Sequence, residues 1–294
     1  MINRIRIWLR KNFFLRKLIG YYLSSSGLLD FYFRSYTVSP SWASRISNVL
    51  SSSDNVLIPK VTDAGQIKGG KQVMHNGLKI YLGSYYGPEY AKMLLATKGV
   101  HEPQEERVFA EAIKTLPLNA VMIEMGAFWS FYSMWFQKQL PHAINFMIEP
   151  DDFNLGQGKR NFKLNGMKGA FTQAFIGKES IDSTPVKTTC IDDFVEKNSI
   201  NFIHMLHSDI QGFEYDMLQG AQKSILAKRI GYVFISTHSN EVHGECLQFL
   251  KSLNFEIIAK ANLDESYSED GLIVARAPYM TGIGKIDISK RVVV

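Results

Sequence analysis

The sequence predicts an α/β fold in which residues 117–280 form a doubly wound, mostly parallel sheet. Short apolar runs alternate with helical stretches through this segment, and that alternation is typical of strands joined by crossover helices. The last two apolar runs have no helix between them, so they can pair as a closing antiparallel hairpin. Hydrophobic residues make up 46% of the 294-residue chain, which is enough for the core of one large domain.

Each predicted element follows from the spacing of its apolar residues. Strands are predicted at residues 120–124, 144–148, 170–176, 202–209, 232–237, 255–261 and 271–277. Helices are predicted at residues 131–140, 154–164, 191–197, 213–228 and 242–253. Open α/β sheets bind ligands beyond the carboxyl ends of their strands, so the residues just after each strand are the candidates for a site.

The segments outside the sheet are an N-terminal α+β extension and a short tail. The chain divides into a basic and aromatic helical segment, a small α+β accessory region, the sheet domain and a C-terminal tail, at residues 1–55, 56–116, 117–280 and 281–294. Within the accessory region, Asn76-Gly77 between short alternating runs predicts a hairpin turn. A helix is predicted to begin at Pro103, with acidic residues in its first turn.

Residues 1–23 are predicted to form a basic amphipathic helix. Six cationic side chains precede the first acidic one: Arg4, Arg6, Arg10, Lys11, Arg16 and Lys17. They exceed the net charge of +5, so the rest of the chain is close to neutral. Such a helix can lie on an anionic membrane surface, or it can pack on its own domain or on a partner. The sequence leaves both interpretations open.

Composition argues against several classes of protein. No basic groove with interleaved aromatic residues indicates nucleic-acid binding, and no apolar run reaches the roughly 18 residues of a membrane span. The N-terminus lacks the pattern of a signal peptide. Cys190 and Cys246 are too few for a secreted disulfide framework and predict free thiols. We therefore expect a cytoplasmic protein; the sequence does not indicate its oligomeric state.

The first two predicted strand tips carry carboxylates. Glu124 ends the first strand, and Gly126 and Ala127 follow it in a close turn. A carboxylate here suits a cationic group, such as the amino-acid ammonium of S-adenosylmethionine, and suits a pyrophosphate badly. Glu149 ends the second strand, where an acidic residue can accept hydrogen bonds from the hydroxyls of a ribose.

The glycine pattern argues against a dinucleotide cofactor. A dinucleotide-binding turn needs glycine at three spaced positions, but Phe128 and Phe131 stand at the second and third. Their bulk would keep a pyrophosphate away from the backbone. After the fourth strand, Asp209 is expected beside the reacting groups, and Gly212 permits a sharp turn. Glu214 lies in the first turn of the next helix, either as a substrate ligand or as a helix cap.

These stretches resemble the FkbM family of methyltransferases, whose motifs read D-x-G-A-N-x-G, E-P-x-x-x-N and K-x-D-x-E-G-x-E after the first, second and fourth strands. The corresponding stretches here are 124–130, 149–154 and 207–214. The resemblance covers residues 102–277. It implies a Rossmann-like class I methyltransferase fold, S-adenosylmethionine as cofactor, and O-methylation of sugars or secondary metabolites. It also places Pro150 and Asn154 in the cofactor site.

The sequence departs from this pattern at several positions. Glu124 replaces the first aspartate, Phe128 and Ser130 replace an asparagine and a glycine, and His207 and Gln211 replace a lysine and a glutamate: Glu124, Phe128, Ser130, His207 and Gln211. The cofactor loop is therefore more aromatic than the pattern. The acceptor side has lost one charge of each sign, so the substrate can differ from the common one of the family.

Methylation of a hydroxyl needs alignment of donor and acceptor and a group that takes the proton. His238 after the fifth strand is the predicted base, with Asp209 beside it. His207 is a further catalytic candidate or a hydrogen-bond donor to the substrate, which Gln211 and Glu214 would also contact. The alternative that Asp209, His238 and His243 hold a divalent metal lacks a tight ligand motif.

Two weaker predictions concern the adenine. Gln173, near the end of the third strand, is placed to read the adenine edge. The aromatic run from Trp129 to Phe136 can pack the helix on the sheet, or it can form a stacking wall for adenine or a sugar.

The sequence leaves three functions open. The first is an O-methyltransferase acting on a glycan or small metabolite. The second is a non-catalytic binding module, which the changes at Phe128, Ser130 and Gln211 motivate. The third is a methyltransferase for a lipid-linked acceptor, brought to the membrane by residues 1–23.

Overall fold

The computed structural model describes residues 27–292, and its centre is a seven-stranded sheet. The strands of this sheet are β4 (Val121–Met125), β5 (Ile144–Ile148), β6 (Ala170–Thr172), β9 (Ile203–Ser208), β10 (Ile230–Thr237), β11 (Glu256–Ala261) and β12 (Gly271–Arg276). Their order across the sheet is β11-β12-β10-β9-β4-β5-β6. Strands β6, β5, β4, β9 and β10 pair in parallel. Strand β12 runs antiparallel between β10 and β11.

This sheet confirms the predicted fold class and the closing hairpin. Strands β11 and β12 pair with each other, and β12 then inserts beside β10. The helices of the sheet domain are α6 (Phe131–Gln139), α7 (Asp152–Leu164), α8 (Ile191–Lys197), α9 (Glu214–Gln219), α10 (Gln222–Leu226) and α11 (Asn240–Ser252). Chain order changes direction between β4 and β9, which is where ligands bind in such sheets.

Two predicted elements are interrupted. The strand predicted at 170–176 ends at Thr172, and a separate parallel pair forms from β7 (Phe175–Ile176) and β8 (Thr188–Thr189). The helix predicted at 213–228 is split at Gly220-Ala221. A Cβ atom at position 220 would lie 2.5 Å from the carbonyl oxygen of Gly177, so the chain needs glycine at this close contact.

The extension before the sheet contains short helices and a small antiparallel sheet. Its elements are α1 (Leu28–Ser35), α2 (Pro40–Ser51), α3 (Ser53–Leu57), β1 (Ile67–Lys68), β2 (Lys71–Val73), β3 (Lys79–Tyr81), α4 (Pro88–Ala96) and α5 (Pro103–Ala112), followed by a 3₁₀ turn (Ile113–Thr115). The predicted turn at Asn76-Gly77 is confirmed: it joins β2 to β3, with Gly77 at φ 82°.

The accessory region packs directly on the sheet domain. Phe109 of α5 contacts the rings of Tyr132 and Trp135 on α6 and of Phe234 on β10. This helix therefore covers one face of the parallel sheet. The aromatic residues of α6 are buried in the same core cluster, as the helix-packing interpretation predicts.

The C-terminal tail returns to the extension. The backbone N–H of Ser289 donates to Asp54 at 2.7 Å, and that of Ile286 donates to the carbonyl of Ile258 at 2.9 Å. Cys190 and Cys246 are both free and buried. Within residues 27–292, no helix is long and apolar enough to cross a membrane. The predicted basic helix at 1–23 lies outside the described residues.

Candidate functional site

A cavity of about 500 Å³ opens at the carboxyl ends of the parallel strands. Seven of the predicted cofactor residues line it: Glu124, Gly126, Ala127, Glu149, Pro150, Asn154 and Asp209. Glu124 and Glu149, from neighbouring strand tips, thus face one shared cavity. The side that carries Gly126, Ala127, Glu149, Pro150 and Asn154 is named the strand-tip end.

The turn after β4 is held closely against the loop after β9. Gly126 has φ 69°, and a Cβ atom there would collide with the backbone carbonyl of Asp209. The N–H of Ala127 donates to the carbonyl of Ile148 at 3.1 Å, which fixes the turn on the neighbouring strand. Glycine is therefore required at position 126, as the sequence predicts.

The two departures in this loop keep an unusual backbone conformation. Phe128 has φ 35° and Ser130 has φ 60°, in the region that favours glycine or asparagine. Helix α7 packs against them, because a Cβ atom at Gly158 would lie 2.9 Å from the carbonyl oxygen of Phe128. The loop thus keeps positive φ angles at the family's asparagine and glycine positions, although neither residue is present.

Glu149 is anchored by backbone donors. One carboxylate oxygen accepts from the N–H of Phe128 at 3.2 Å, and the other from the N–H of Asp151 at 3.0 Å. Burial raises the pKa of Glu149, and these two hydrogen bonds oppose that effect. A carboxylate has about four acceptor positions, so both oxygens keep capacity for further donors, such as a pair of ribose hydroxyls.

Glu124 is nearly inaccessible to solvent. Its side chain is 4% exposed, and one oxygen accepts from the N–H of Ser133 at 3.1 Å. Burial raises its pKa to about 7. Its charge at neutral pH is therefore sensitive to a cationic neighbour, which would favour the ionised form.

Asp209 faces the cavity and belongs to an acidic cluster with His238 at its centre. The Nε2 of His238 lies 3.2 Å from Asp209 and 3.4 Å from Asp270, and its Nδ1 lies 2.8 Å from Glu214. Burial alone lowers the pKa of His238, but hydrogen bonds to Asp209 and Glu214 outweigh it and raise the pKa to about 10. His238 is thus a cation held between carboxylates, and it lies outside the cavity lining.

Glu214 holds the loop after β9. It is fully buried, and one of its oxygens accepts from the N–H groups of Ile210 at 3.3 Å and Gly212 at 3.0 Å. This carboxylate does not line the cavity, whereas Gln211, at φ 58°, does. Its contacts match the helix-cap interpretation better than substrate binding.

Two predicted residues lie elsewhere. Gln173 is exposed, donates to the carbonyl of Pro150 at 3.0 Å, and is not among the cavity residues. His243 contacts Thr237 at 2.9 Å, and burial lowers its pKa to about 4. Among the residues that the structure describes, no group of three or more histidine, cysteine or acidic side chains could hold a metal ion.

The other side of the cavity is formed largely by residues that the sequence did not indicate. We name this side the buried polar end; it consists of His101, Glu102, Glu124, Tyr132, His207 and Ser236. His101 and Glu102 come from the accessory region, as do Tyr85 and Tyr86 nearby. The signal in the sequence was the set of acids around Pro103, which we interpreted as helix-dipole partners and which are in fact buried.

Behind the buried polar end lies a network of imidazoles and carboxylates. Glu106 contacts His101 at 2.6 Å and His75 at 3.1 Å. Burial alone raises the pKa of Glu106, but the two imidazoles outweigh it and hold the pKa far below its usual range. For His101, burial is outweighed by Glu102 and Glu106, which raise the pKa to about 10. These ion pairs fix the accessory helix beside the cavity.

The cavity fits S-adenosylmethionine in its donor set. Apolar side chains of Ile148, Phe175 and Ile176 line the wall beside Glu149, as an adenine ring requires. Carboxylates stand at both ends, where the ligand has ribose hydroxyls and an ammonium group.

Comparisons with known proteins agree with the sequence motifs. Residues 127–257 match the family model described as the methyltransferase FkbM domain, which confirms the resemblance. No curated protein matches the chain by sequence. Among solved structures, it is similar to a precorrin-6y C5,15-methyltransferase from Geobacter metallireducens, with 14% identity and a TM-score of 0.41, covering 58% of this chain and 88% of that one.

A ribosomal protein L11 methylase from Lactobacillus delbrueckii subsp. bulgaricus is similar to the same extent, with 14% identity and a TM-score of 0.41. The match covers 60% of this chain and 81% of that one.

Proposed function

We propose that this protein with an FkbM methyltransferase domain uses S-adenosylmethionine to methylate a hydroxyl group on a sugar, a glycan or a small metabolite. One observation carries the proposal: three carboxylates, from the tips of three neighbouring parallel strands, line one cavity. They are Glu149, Glu124 and Asp209. Their spacing along the sheet edge matches a ligand with a ribose at one end and a charged amino acid at the other.

Each carboxylate has a separate role in this proposal. Glu149, whose oxygens are oriented by two backbone donors, binds the ribose hydroxyls. Glu124, whose pKa of about 7 falls beside a cation, binds the ammonium group. Asp209 is the carboxylate nearest the open side, where Gln211 is exposed. The acceptor therefore meets the protein at Asp209.

The bound cofactor supplies a methyl group on a sulfonium, which is already activated for displacement. The protein must hold the acceptor oxygen in line with that methyl and take its proton. Both ring nitrogens of His238 are engaged by carboxylates, and its pKa of about 10 keeps it protonated. We therefore assign the proton to Asp209, and we assign His238 the role of orienting that carboxylate and keeping it ionised.

The mouth of the cavity suits a polar acceptor that carries a ring. Tyr86 lies there with 57% of its surface exposed, and Phe213 is 55% exposed. Together with the amide of Gln211, they offer ring faces and hydrogen bonds to the same ligand. An acceptor with vicinal hydroxyls on an apolar ring face, such as a sugar, matches these groups. A lipid-linked form of that acceptor stays a prediction, because residues 1–23 lie outside the described chain.

Calorimetric titration of the purified protein with S-adenosylhomocysteine tests the cofactor assignment. We expect a single site of micromolar or tighter affinity. Absence of binding to the full chain would refute a methyltransferase of this type.

Methyl transfer is tested with S-adenosylmethionine carrying a labelled methyl group, incubated with glycans and metabolites extracted from cells that lack the gene. Mass spectrometry should show one labelled methyl on a hydroxyl-bearing product. Asp209→Asn should bind S-adenosylhomocysteine as wild type does but transfer at least about 100-fold more slowly, since general-base contributions are of this size. Binding without transfer by the wild type to any fraction would favour the non-catalytic alternative.

A further inference from the structure

The buried polar end contains more charged groups than the proposed chemistry uses. Glu102, Glu124 and His207 line it with exposures of 8%, 4% and 3%. Buried charges are costly unless they are paired, so each group needs a partner or a ligand.

Part of this network is internally satisfied. Glu106 accepts from His75, from His101 and from the backbone N–H groups of His101 and Glu102. Because its oxygens are shared among four donors, Glu106 has a structural role. It positions the start of α5 beside the cavity.

His207 is only half satisfied. Its Nε2 lies 2.7 Å from one oxygen of Glu105, whose other oxygen accepts from the hydroxyl of Ser236 at 2.9 Å. The ring of Tyr132 packs on the imidazole at a centroid distance of 4.2 Å. Among the described residues, nothing hydrogen-bonds its buried Nδ1. His207 is therefore a fixed imidazole with one nitrogen left for a ligand at the cavity wall.

The charge state of His207 follows from its neighbours. Burial alone lowers its pKa, but the carboxylates of Glu105, Glu124 and Glu102 outweigh burial and raise it. The imidazole is thus favoured as a cation, in which Nδ1 carries a proton to donate.

Two carboxylates keep acceptor capacity beside this donor. Both contacts to Glu102, from Tyr132 at 2.7 Å and from His101 at 3.2 Å, go to Oε2. The printed contact to Glu124 likewise goes to one oxygen. Glu124 and His207 are register partners in the parallel pair β4–β9, so their side chains leave the sheet on the same face. Acceptors for an ammonium thus stand next to a donor for a carboxylate.

We propose that the buried polar end binds the α-amino-acid portion of the cofactor as a zwitterion. The Nδ1–H of His207 donates to the carboxylate, and Glu102 and Glu124 accept from the ammonium. Glu105 is a positioning residue that orients His207. The inference rests on the proposed function, because it requires S-adenosylmethionine as the ligand. It also assigns part of the cofactor site to the accessory region, which lies outside the matched domain.

The first test changes the ligand and leaves the protein intact. Calorimetry compares S-adenosylmethionine with decarboxylated S-adenosylmethionine, which lacks only the carboxylate. A charge-assisted hydrogen bond that is lost in a buried site weakens binding by about tenfold or more. Equal affinities for the two ligands would overturn the inference. Failure of the wild type to bind either ligand would instead refute the proposed function.

The second test couples the ligand to the residue. In His207→Gln, S-adenosylmethionine should bind about tenfold or more weakly, while decarboxylated S-adenosylmethionine should change little, so the difference between the ligands disappears. The control is His142→Gln on the exposed surface, which should preserve the difference. Circular dichroism establishes that each variant is folded. An undiminished difference in folded His207→Gln would contradict the role of its Nδ1.

The third test concerns positioning by Glu105. Glu105→Gln removes the nearest charge that raises the pKa of His207, while Glu102 and Glu124 remain. The preference for the carboxylate-bearing ligand should then fall as pH rises from about 6 to 8, since His207 deprotonates. Wild type should keep its preference across this range, as should Glu111→Gln on the exposed side of the same helix. A flat profile in folded Glu105→Gln would exclude the positioning role.

Discussion

The strand-tip end and the buried polar end of the cavity satisfy their carboxylates in different ways. At the strand-tip end, Glu149 accepts from two backbone N–H groups within the loops that follow β4 and β5. At the buried polar end, Glu105 and Glu106 contact imidazoles that lie far away in the chain, His207 and His75. One end is thus organised by local backbone, and the other by side chains from separate elements.

This difference has a consequence for mutation. Backbone donors remain when a side chain changes, so the strand-tip end should lose ligand affinity but keep its fold. An imidazole–carboxylate network leaves an unpaired buried charge when one member is removed, so the fold itself should suffer. Binding and stability measurements can therefore separate the two ends.

The largest effect is expected at Glu106. Glu106→Gln should lower the free energy of unfolding by about 3–5 kcal/mol, because His75 and His101 lose their shared partner in a buried site. Urea denaturation at pH 7 measures it. The control Glu111→Gln, on the exposed side of the same helix, should change stability by less than about 0.5 kcal/mol.

The pKa of Glu106 also predicts a pH dependence. Because its pKa is lowered in the folded state, its contribution to stability is present above the ordinary glutamate pKa of about 4.3 and is lost as pH falls below it. Wild type should therefore lose stability below pH 4 more steeply than Glu106→Gln. Parallel curves would contradict the ion pairs.

The next effect in size concerns Glu149. Glu149→Ala should weaken binding of S-adenosylhomocysteine about 100-fold, since two hydrogen bonds from ribose hydroxyls to a carboxylate are lost. Unfolding in urea should change little, in contrast to Glu106→Gln. Gln173→Ala, at the same edge of the sheet but exposed, should change affinity less than about twofold. Similar effects of the two substitutions would argue against the ribose assignment.

A smaller effect is expected from pH at Glu124. Burial raises its pKa to about 7, so it is largely neutral at pH 6 and ionised at pH 8 in the free protein. If its ionised form binds the ammonium, affinity for S-adenosylhomocysteine should rise about tenfold between these pH values. Glu124→Gln should flatten this profile. An affinity that fell with rising pH would reverse the assignment.

The smallest effect concerns strain in the cofactor loop. Ser130 has φ 60° and is 1% exposed, with no hydrogen bond to its hydroxyl among the described residues. Ser130→Gly should stabilise the protein by about 1 kcal/mol by removing both costs. Ser133→Gly, in helix α6 nearby, should instead destabilise it by about 0.5–1 kcal/mol. Urea denaturation of the pair distinguishes loop strain from a general effect of glycine.

The strand-tip end was predictable because its signals are local. Glycine at position 126, the carboxylates at 124 and 149, and Asp209 each directly follow or end an apolar run, and the order of strands places such residues together. His238 was correctly placed near Asp209, but its protonation depends on Glu214 and Asp270, which no spacing along the chain relates to it. Chemical roles therefore required coordinates even where positions did not.

The sequence by itself determined the parallel sheet, the closing hairpin, the Asn76-Gly77 turn and the strand tips that face the cavity. Period and turn residues act over a few positions, so they leave a readable pattern. Only the tertiary structure brought Glu105, about 100 residues earlier in the chain, to 2.7 Å from His207. A buried charge is defined by partners that arrive from other elements, and the pairing of those elements has no period in the sequence.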